Sequence, residues 1–370
     1  MIDTVRLLVP RTEMSFVDGV ISWELFSKTA NYAKFVRNPS KANKDTSLYF
    51  PRLTGYKRKG HKDNSDILIE FSAPKLLYLN NLDELEDKDF DELIMTLRER
   101  LRMMGMVILR TSLEKATVSA IHFSKNILLE DGYSVNHIIS EMNKVDLIKT
   151  FDFSRAKYTN DGQSLYLHTT SHQFTAYDKG ADMGKSEKRA IDKDKTTYQM
   201  KLFSEVKKAK QEILRFEARL GNKKKIDSML EGLGYGKGLN FRQIFREEIA
   251  KKVLWIYWEG LIKKRHLGLF SIIPSSKDIV RILFANNKKL KPKQAIYLLG
   301  LFVLAKDENG IRELRSLVSK RSHSRTWYRF TRDMRLTSEI ITKSNLRDWV
   351  SQIDRKLDKF EPYKHKKLST

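Results

Sequence analysis

The chain has no cysteine, which excludes disulfide staples and zinc–thiolate centres together. It has no run of about 18 apolar residues, so no transmembrane helix is expected. The opening stretch MIDTVRLLVPRTE carries an acid at Asp3 and only a short apolar patch, which argues against a secretory signal. No Gly-x-x-x-x-Gly-Lys-Ser/Thr loop is present, since Gly184-Lys185-Ser186 has Lys179 where the first glycine would stand, and no Gly-x-Ser-x-Gly elbow is present, so P-loop ATP hydrolysis and that serine chemistry are not expected. Acidic charge is also in short supply. Against 70 Lys and Arg stand 46 Asp and Glu, a net charge of +24. Self-repulsion of that size opposes compaction, so a polyanionic partner is expected, nucleic acid first and an anionic membrane surface second. The hydrophobic fraction of 41% rules out a largely disordered chain, and 370 residues suffice for two domains. A soluble intracellular protein is expected.

The first part of the chain mixes strand and helix patterns. TVRLLVP predicts a strand ended by Pro10, and residues 19–36 predict a helix. Residues 66–72 predict a strand broken by Pro74. Phe90, Leu93, Ile94, Leu97 and Leu101 recur at helical spacing behind an acidic first turn. ATVSAIHFSKNILL predicts a strand, SVNHIISEMNKV a short helix opened by Ser134, and YQMKLFSEVKKAKQ a helix. SLYLHTT and HQFTAYDKG predict a hairpin, and EILRFEARLG a strand stopped at Gly221. Residues 230–240 hold four glycines in eleven positions and predict a linker or loop, beyond which the pattern is helical. The expected architecture is α+β over residues 1–228, followed by a helical domain over 229–370.

Four segments place polar side chains within apolar strands: Glu70 in ILIEF, His122 in SAIHFS, Tyr177 in FTAYDKG, and Arg215, Glu217 and Arg219 in LRFEARL. Residues two apart share a strand face, so the last three project together. A solvated charged face would look the same. Taken together, however, a Glu, a His and a Tyr beside Lys179 are the parts of a metal-assisted transesterification. A phenol is a weak nucleophile at neutral pH. A divalent cation polarises the phosphate, and a nearby lysine favours phenolate. His122, Glu217 and Glu70 are suitable ligands for Mg²⁺ or Mn²⁺. His168 and His172 flank the hairpin turn rather than share a helix face. They read as polar turn residues, with His172 in reach of DNA.

The segments MIDTVRLLVP, IEFSAPKLL, TVSAIHFS, FTAYDKG and LRFEARL, in that order, resemble the replication initiator endonucleases of filamentous phages. They are also similar to rolling-circle plasmid initiators of the His-hydrophobic-His (HUH) type. The likeness spans nearly the whole chain. It implies an antiparallel sheet flanked by helices, and Tyr177 as the residue joined to DNA, with Lys179 matching the lysine that follows. It further implies a metal-dependent nicking and joining activity on a replication origin in the cytoplasm of a bacterial host, with host helicase or polymerase as further partners. Two departures stand. Where the family often carries Arg-Ile-Asp, this chain has Ala120-Ile121-His122, which leaves the ligand set open, and the His-hydrophobic-His motif itself is not visible.

Phosphate contacts are expected from Arg215, Arg219, His172 and Lys185. In the helical part, Arg321, Arg325 and Arg329 interleave with Trp327, Tyr328 and Phe330 in SKRSHSRTWYRFTRDMR. Trp327 and Phe330, three apart, equally suit the core face of a helix with arginines on its wet side. Two other functions share these features: a DNA-binding regulator with an inert enzyme half, and a transposition or integration relative using the same chemistry.

Overall fold

The computed structural model describes residues 1–17, 24–28, 32–38, 48–58, 66–145, 157–159, 164–183, 202, 204–205, 211–260, 275–307, 310–321, 324–341 and 348–365. Its strands are β1 Ile2–Val9, β2 Met14–Phe16, β3 Glu24–Lys28, β4 Tyr32–Arg37, β5 Arg52–Arg58 and β6 Ile67–Ser72. They continue with β7 Met106–Ile108, β8 Thr117–Leu128, β9 Lys157–Thr159, β10 Ser164–His168, β11 His172–Asp178 and β12 Ile213–Leu220. Ten of them form one sheet in the order β3-β4-β5-β6-β1-β8-β12-β11-β10-β9, and every pairing is antiparallel. The fold is therefore α+β, a large antiparallel sheet flanked by helices and followed by a helical C-terminal region.

Period-two alternation gives the sheet its two faces. In β12, Leu214, Phe216, Ala218 and Leu220 are buried on one side, while Arg215, Glu217 and Arg219 point to the other. The apolar face is covered by helices. Phe216 packs on Trp258 of the helix Glu247–Trp258 at 5.6 Å between ring centres, Trp258 meets Trp349 of the helix Asp348–Lys359 at 6.4 Å, and Phe174 stacks on Tyr257 at 5.5 Å. Trp258 Nε1 donates to Asp354 Oδ1 at 2.6 Å, so the indole is buried without losing its hydrogen bond. The helix Phe90–Met103 buries Phe90, Leu93, Ile94, Leu97 and Leu101, the expected stripe. Glu86 and Asp89 form a capping box ahead of it, and Gly105 at φ 82° follows its last turn.

Residues 19–36 are not a helix where they are described. Glu24–Lys28 and Tyr32–Arg37 are the hairpin strands β3 and β4, and β5 pairs with β4 through Phe35↔Gly55 and Val36↔Thr54. Aromatic and β-branched residues suit such a ladder, and strand pairing overrides the local helical spacing. Most of the segment expected to be helical at 198–211 lies outside the described residues, as does Lys185.

The glycine-rich stretch is a tethered loop. Gly234, Gly236 and Gly238 take φ of 85°, 83° and 74°, Gly238 N–H donates to Asp227 Oδ1, and Phe241 N–H donates to Ala116 O. Phe241, Ile244 and Phe245 then enter the same core as the sheet, and the boundary expected at 228–229 falls inside the helix Lys223–Gly232. Further on, the helices Ser276–Asn286 and Pro292–Lys306 share a small cluster of Ile279, Leu283 and Phe302. Leu301, Ala305, Ile311, Leu314, Trp327 and Met334 join the main core.

Candidate functional site

The polar face of the central strands carries the candidate site. In β12, Arg215 opposes Asn126, Glu217 opposes Ser124 and Arg219 opposes His122, all on β8. On its other side Arg215 opposes Tyr177 and Glu217 opposes Thr175, both on β11. These registers place Tyr177, Glu217 and His122 on one surface of the sheet.

Asp3 completes the group, although strict alternation would send it elsewhere. Counting back from Val9, Leu7 and Val5 puts Asp3 on the apolar face. A bulge intervenes: Ile2 pairs with Phe123 and Val5 with Ile121, three residues against two. Ile2 and Val5 are both buried, and Asp3 is turned to the polar side, the re-aiming that a bulge performs. The apolar spacing of three in IDTV was the available signal.

Asp3, His122 and Glu217 each offer a ligand atom, and these atoms lie within 4.8 Å of one another. Two carboxylates and an imidazole suit a divalent cation such as Mg²⁺ or Mn²⁺. Both carboxylates also hold guanidinium groups, which a cation would have to displace or join. Arg215 Nη2 lies 3.2 Å from Asp3 Oδ1, and Arg219 Nε donates to Glu217 Oε1 at 2.8 Å. Glu217 Oε1 also faces His122 Nδ1 at 3.2 Å. Burial pushes the Glu217 carboxyl up, but Arg219, His122 and Arg215 outweigh it and hold the group well below the usual carboxylate range. Glu70 is not in this group. It pairs with Arg6 at 3.0 Å, and Arg6 lies three residues beyond Asp3, roughly 10 Å along the strand.

Tyr177 stands near the end of β11, half-buried, and its hydroxyl donates to Glu217 Oε2 at 3.4 Å. Burial, with Glu217, Asp182 and Asp3 adding to it against Arg215, raises the phenol well above its ordinary value. Lys179 opens the short helix Lys179–Met183 and is 1% exposed, with Nζ 5.9 Å from the Tyr177 ring centre. Asp178 Oδ1 accepts from Ala181 N–H at 2.9 Å, which fixes the turn from strand to helix. Burial first, and the Arg215 cation second, lower the Lys179 amine to about 8.

The expected phosphate contacts are placed differently from one another. Arg215 is 2% exposed and is held by Asn126 Oδ1 at 3.0 Å, Ser124 Oγ at 3.0 Å and Asn81 O at 3.3 Å, so it supports Asp3 from beneath rather than facing a nucleic-acid backbone. Arg219 keeps 35% of its side chain exposed at the rim. His172 begins β11, five residues from Tyr177 and therefore about 16 Å along the strand. Its ring Nδ1 is 2.9 Å from Thr169 Oγ1, and burial, then Lys225, lower its pKa to about 4, so it is neutral at pH 7. Arg321, Arg325 and Arg329 are exposed, while Trp327 is buried and Phe330 packs on the core. The helix Ser324–Ile341 thus presents a core face and a cationic face together.

No described helix is long and apolar enough to cross a membrane. Comparison with known proteins finds no matching family model, no matching curated protein and no matching solved structure.

Proposed function

We propose that the chain is a divalent-metal-dependent DNA endonuclease of the His-hydrophobic-His type, which nicks a replication origin through a tyrosyl–phosphate intermediate and rejoins it. The observation that carries this is the contact of Tyr177 with Glu217, whose other oxygen faces His122 in a group that includes Asp3. Asp3, His122 and Glu217 would hold Mg²⁺ or Mn²⁺, which when bound polarises the scissile phosphate and offsets developing charge.

Tyr177 Oη forms the new bond to phosphorus, and the bond from phosphorus to the 3′ oxygen breaks. The phenol gives up its proton, and the departing oxygen gains one to become a 3′-hydroxyl. Tyr177 donates to Glu217 Oε2, but Glu217 is held far down and is a weak base, so the buried Lys179, its Nζ 5.9 Å from the Tyr177 ring centre and its amine lowered to about 8, is proposed as the acceptor. The ester keeps the bond energy, and the 3′-hydroxyl can reverse the step. The setting proposed is rolling-circle replication of a phage or related element in a bacterial cytoplasm, with host helicase or polymerase taking over the freed end. A net charge of +24 supports a DNA partner.

The test is incubation of labelled supercoiled or single-stranded origin DNA with the protein and Mn²⁺, followed by a denaturing gel. A covalent protein–DNA band is expected. Its absence across a single-stranded library, with binding retained, would favour the DNA-binding regulator. That second reading draws on the guanidinium groups already seated on Asp3 and Glu217.

A further inference from the structure

The polar face continues past the candidate site onto β10. Tyr166 opposes Thr175, which opposes Glu217, and His168 opposes Gln173, which opposes Arg219. Leu165 and Leu167, 2% and 1% exposed, occupy the apolar side, so Tyr166 and His168 share the face of Tyr177. Both remain partly exposed, and their rings meet edge to face with centres 5.4 Å apart. Packing does not account for an aromatic pair here, because β10 fills its share of the core from the other side. Tyr166 is a diagonal neighbour of Tyr177, whose direct partner is Ser164. Such neighbours stand about 7–8 Å apart.

We infer that Tyr166, braced by His168, is a stacking shelf for one unpaired nucleobase beside the phosphate offered to Tyr177. The inference rests on the proposed nicking reaction for the strand's path, and on the ring pair for the ligand's chemistry. A base inside a duplex has both faces covered, whereas an unpaired one can lay its π-face on a tyrosine that projects from a sheet. Arg219, in the row between His168 and His122, supplies a cation for the adjoining phosphate. Selection of melted over paired DNA then resides in β10 rather than in the reacting groups.

The experiment uses full-length Tyr177→Phe, which cannot turn over, with single-stranded oligonucleotides carrying 2-aminopurine at successive positions. Quenching is expected at one position. Adding Tyr166→Leu should remove it and weaken single-strand affinity about tenfold, a loss in the range of one base stack. Tyr166→Phe should keep both, and duplex affinity should not change. Should the Leu variant fold poorly, an abasic site at the quenched position tests the same contact on otherwise unaltered protein, with the same tenfold loss expected. Unchanged affinity for both the Leu variant and the abasic strand overturns the shelf. If Tyr177-dependent adducts still form in that case, the nicking reaction stands without it. Quenching that needs Tyr166, in a protein that never forms adducts, leaves the shelf and removes the nickase.

Discussion

Tyr177 and Glu217 are joined by a hydrogen bond in which the phenol is the donor, 3.4 Å from Oε2. One carboxylate therefore touches the candidate nucleophile with one oxygen and faces His122 with the other. Tyr177 and His122 can be altered separately.

Tyr177→Phe removes only the hydroxyl. The covalent adduct should vanish while DNA affinity stays within about twofold, because phosphate contacts elsewhere dominate binding. A denaturing gel alongside fluorescence anisotropy measures both, and a wild-type adduct yield in the Phe protein would remove Tyr177 from its role.

Asp3→Asn, His122→Ala and Glu217→Gln should each weaken Mn²⁺ binding by at least about tenfold, followed by calorimetric titration, whereas Glu70→Gln should leave it unchanged. Equal effects of Glu70 and Asp3 would contradict the placement that the β1 bulge produces.

With Lys179 lowered to about 8, its neutral form dominates above that pH and falls roughly tenfold per unit below it. Single-turnover adduct formation should rise about tenfold from pH 6 to 7, bend near 8 and level off. Lys179→Met should be slow and lack the bend. A rate that falls with rising pH over this interval would mean that the cationic lysine is the active form.

Lys125 Nζ donates to Glu84 Oε2 at 2.6 Å, with both side chains almost wholly buried. Lys125→Met leaves the buried Glu84 carboxylate without its counter-ion and should cost about 3–5 kcal/mol in denaturant unfolding, while adding Glu84→Leu should recover only part of it, because the Asn126 and Tyr363 N–H groups then lose their acceptor. Burial raises the Glu84 carboxyl, but Lys125 and its other partners leave it net below 4.5. Its contribution is therefore complete above pH 4.5 and is lost as pH falls from there through the lower folded value, so the wild type should lose stability in that acid range.

Arg321, Arg325 and Arg329 changed together to Ala should weaken duplex binding and flatten its dependence on log salt by up to about 3, near 0.9 per phosphate contact. All three are exposed, so the melting temperature should hold, and nicking of a short single strand should survive. An identical salt slope would show that this cationic face does not meet phosphate.

The LRFEARL face was legible because its alternation is uninterrupted over the strand, and each charged residue lies where period two puts it. Asp3 was hidden because a single extra residue in β1 reverses the inside–outside count, and Glu70 took its place in the expected ligand set. Alternation also says which side a residue faces, not what lies over that side. Arg215 therefore read as a phosphate contact, although Ser124, Asn126 and the Asn81 carbonyl enclose it. The hairpin at 24–37 was misread for a related reason, since its strand partner β5 lies beyond any local window.

β1 sits in the middle of the ten-stranded order, between β6 and β8, and β12 joins only on the far side of β8. During synthesis, then, β1 precedes both of its neighbours and gains the second only when β8, Thr117–Leu128, has been made. At about 5–20 residues per second, the end of β8 follows the end of β1 by roughly 6–24 s. For that interval the nascent chain holds an apolar strand with open edges, and the finished sheet depends on contacts far apart in sequence, a topology that folds slowly. The strand that supplies Asp3 is therefore also the one most exposed to mispairing while the ribosome is still at work.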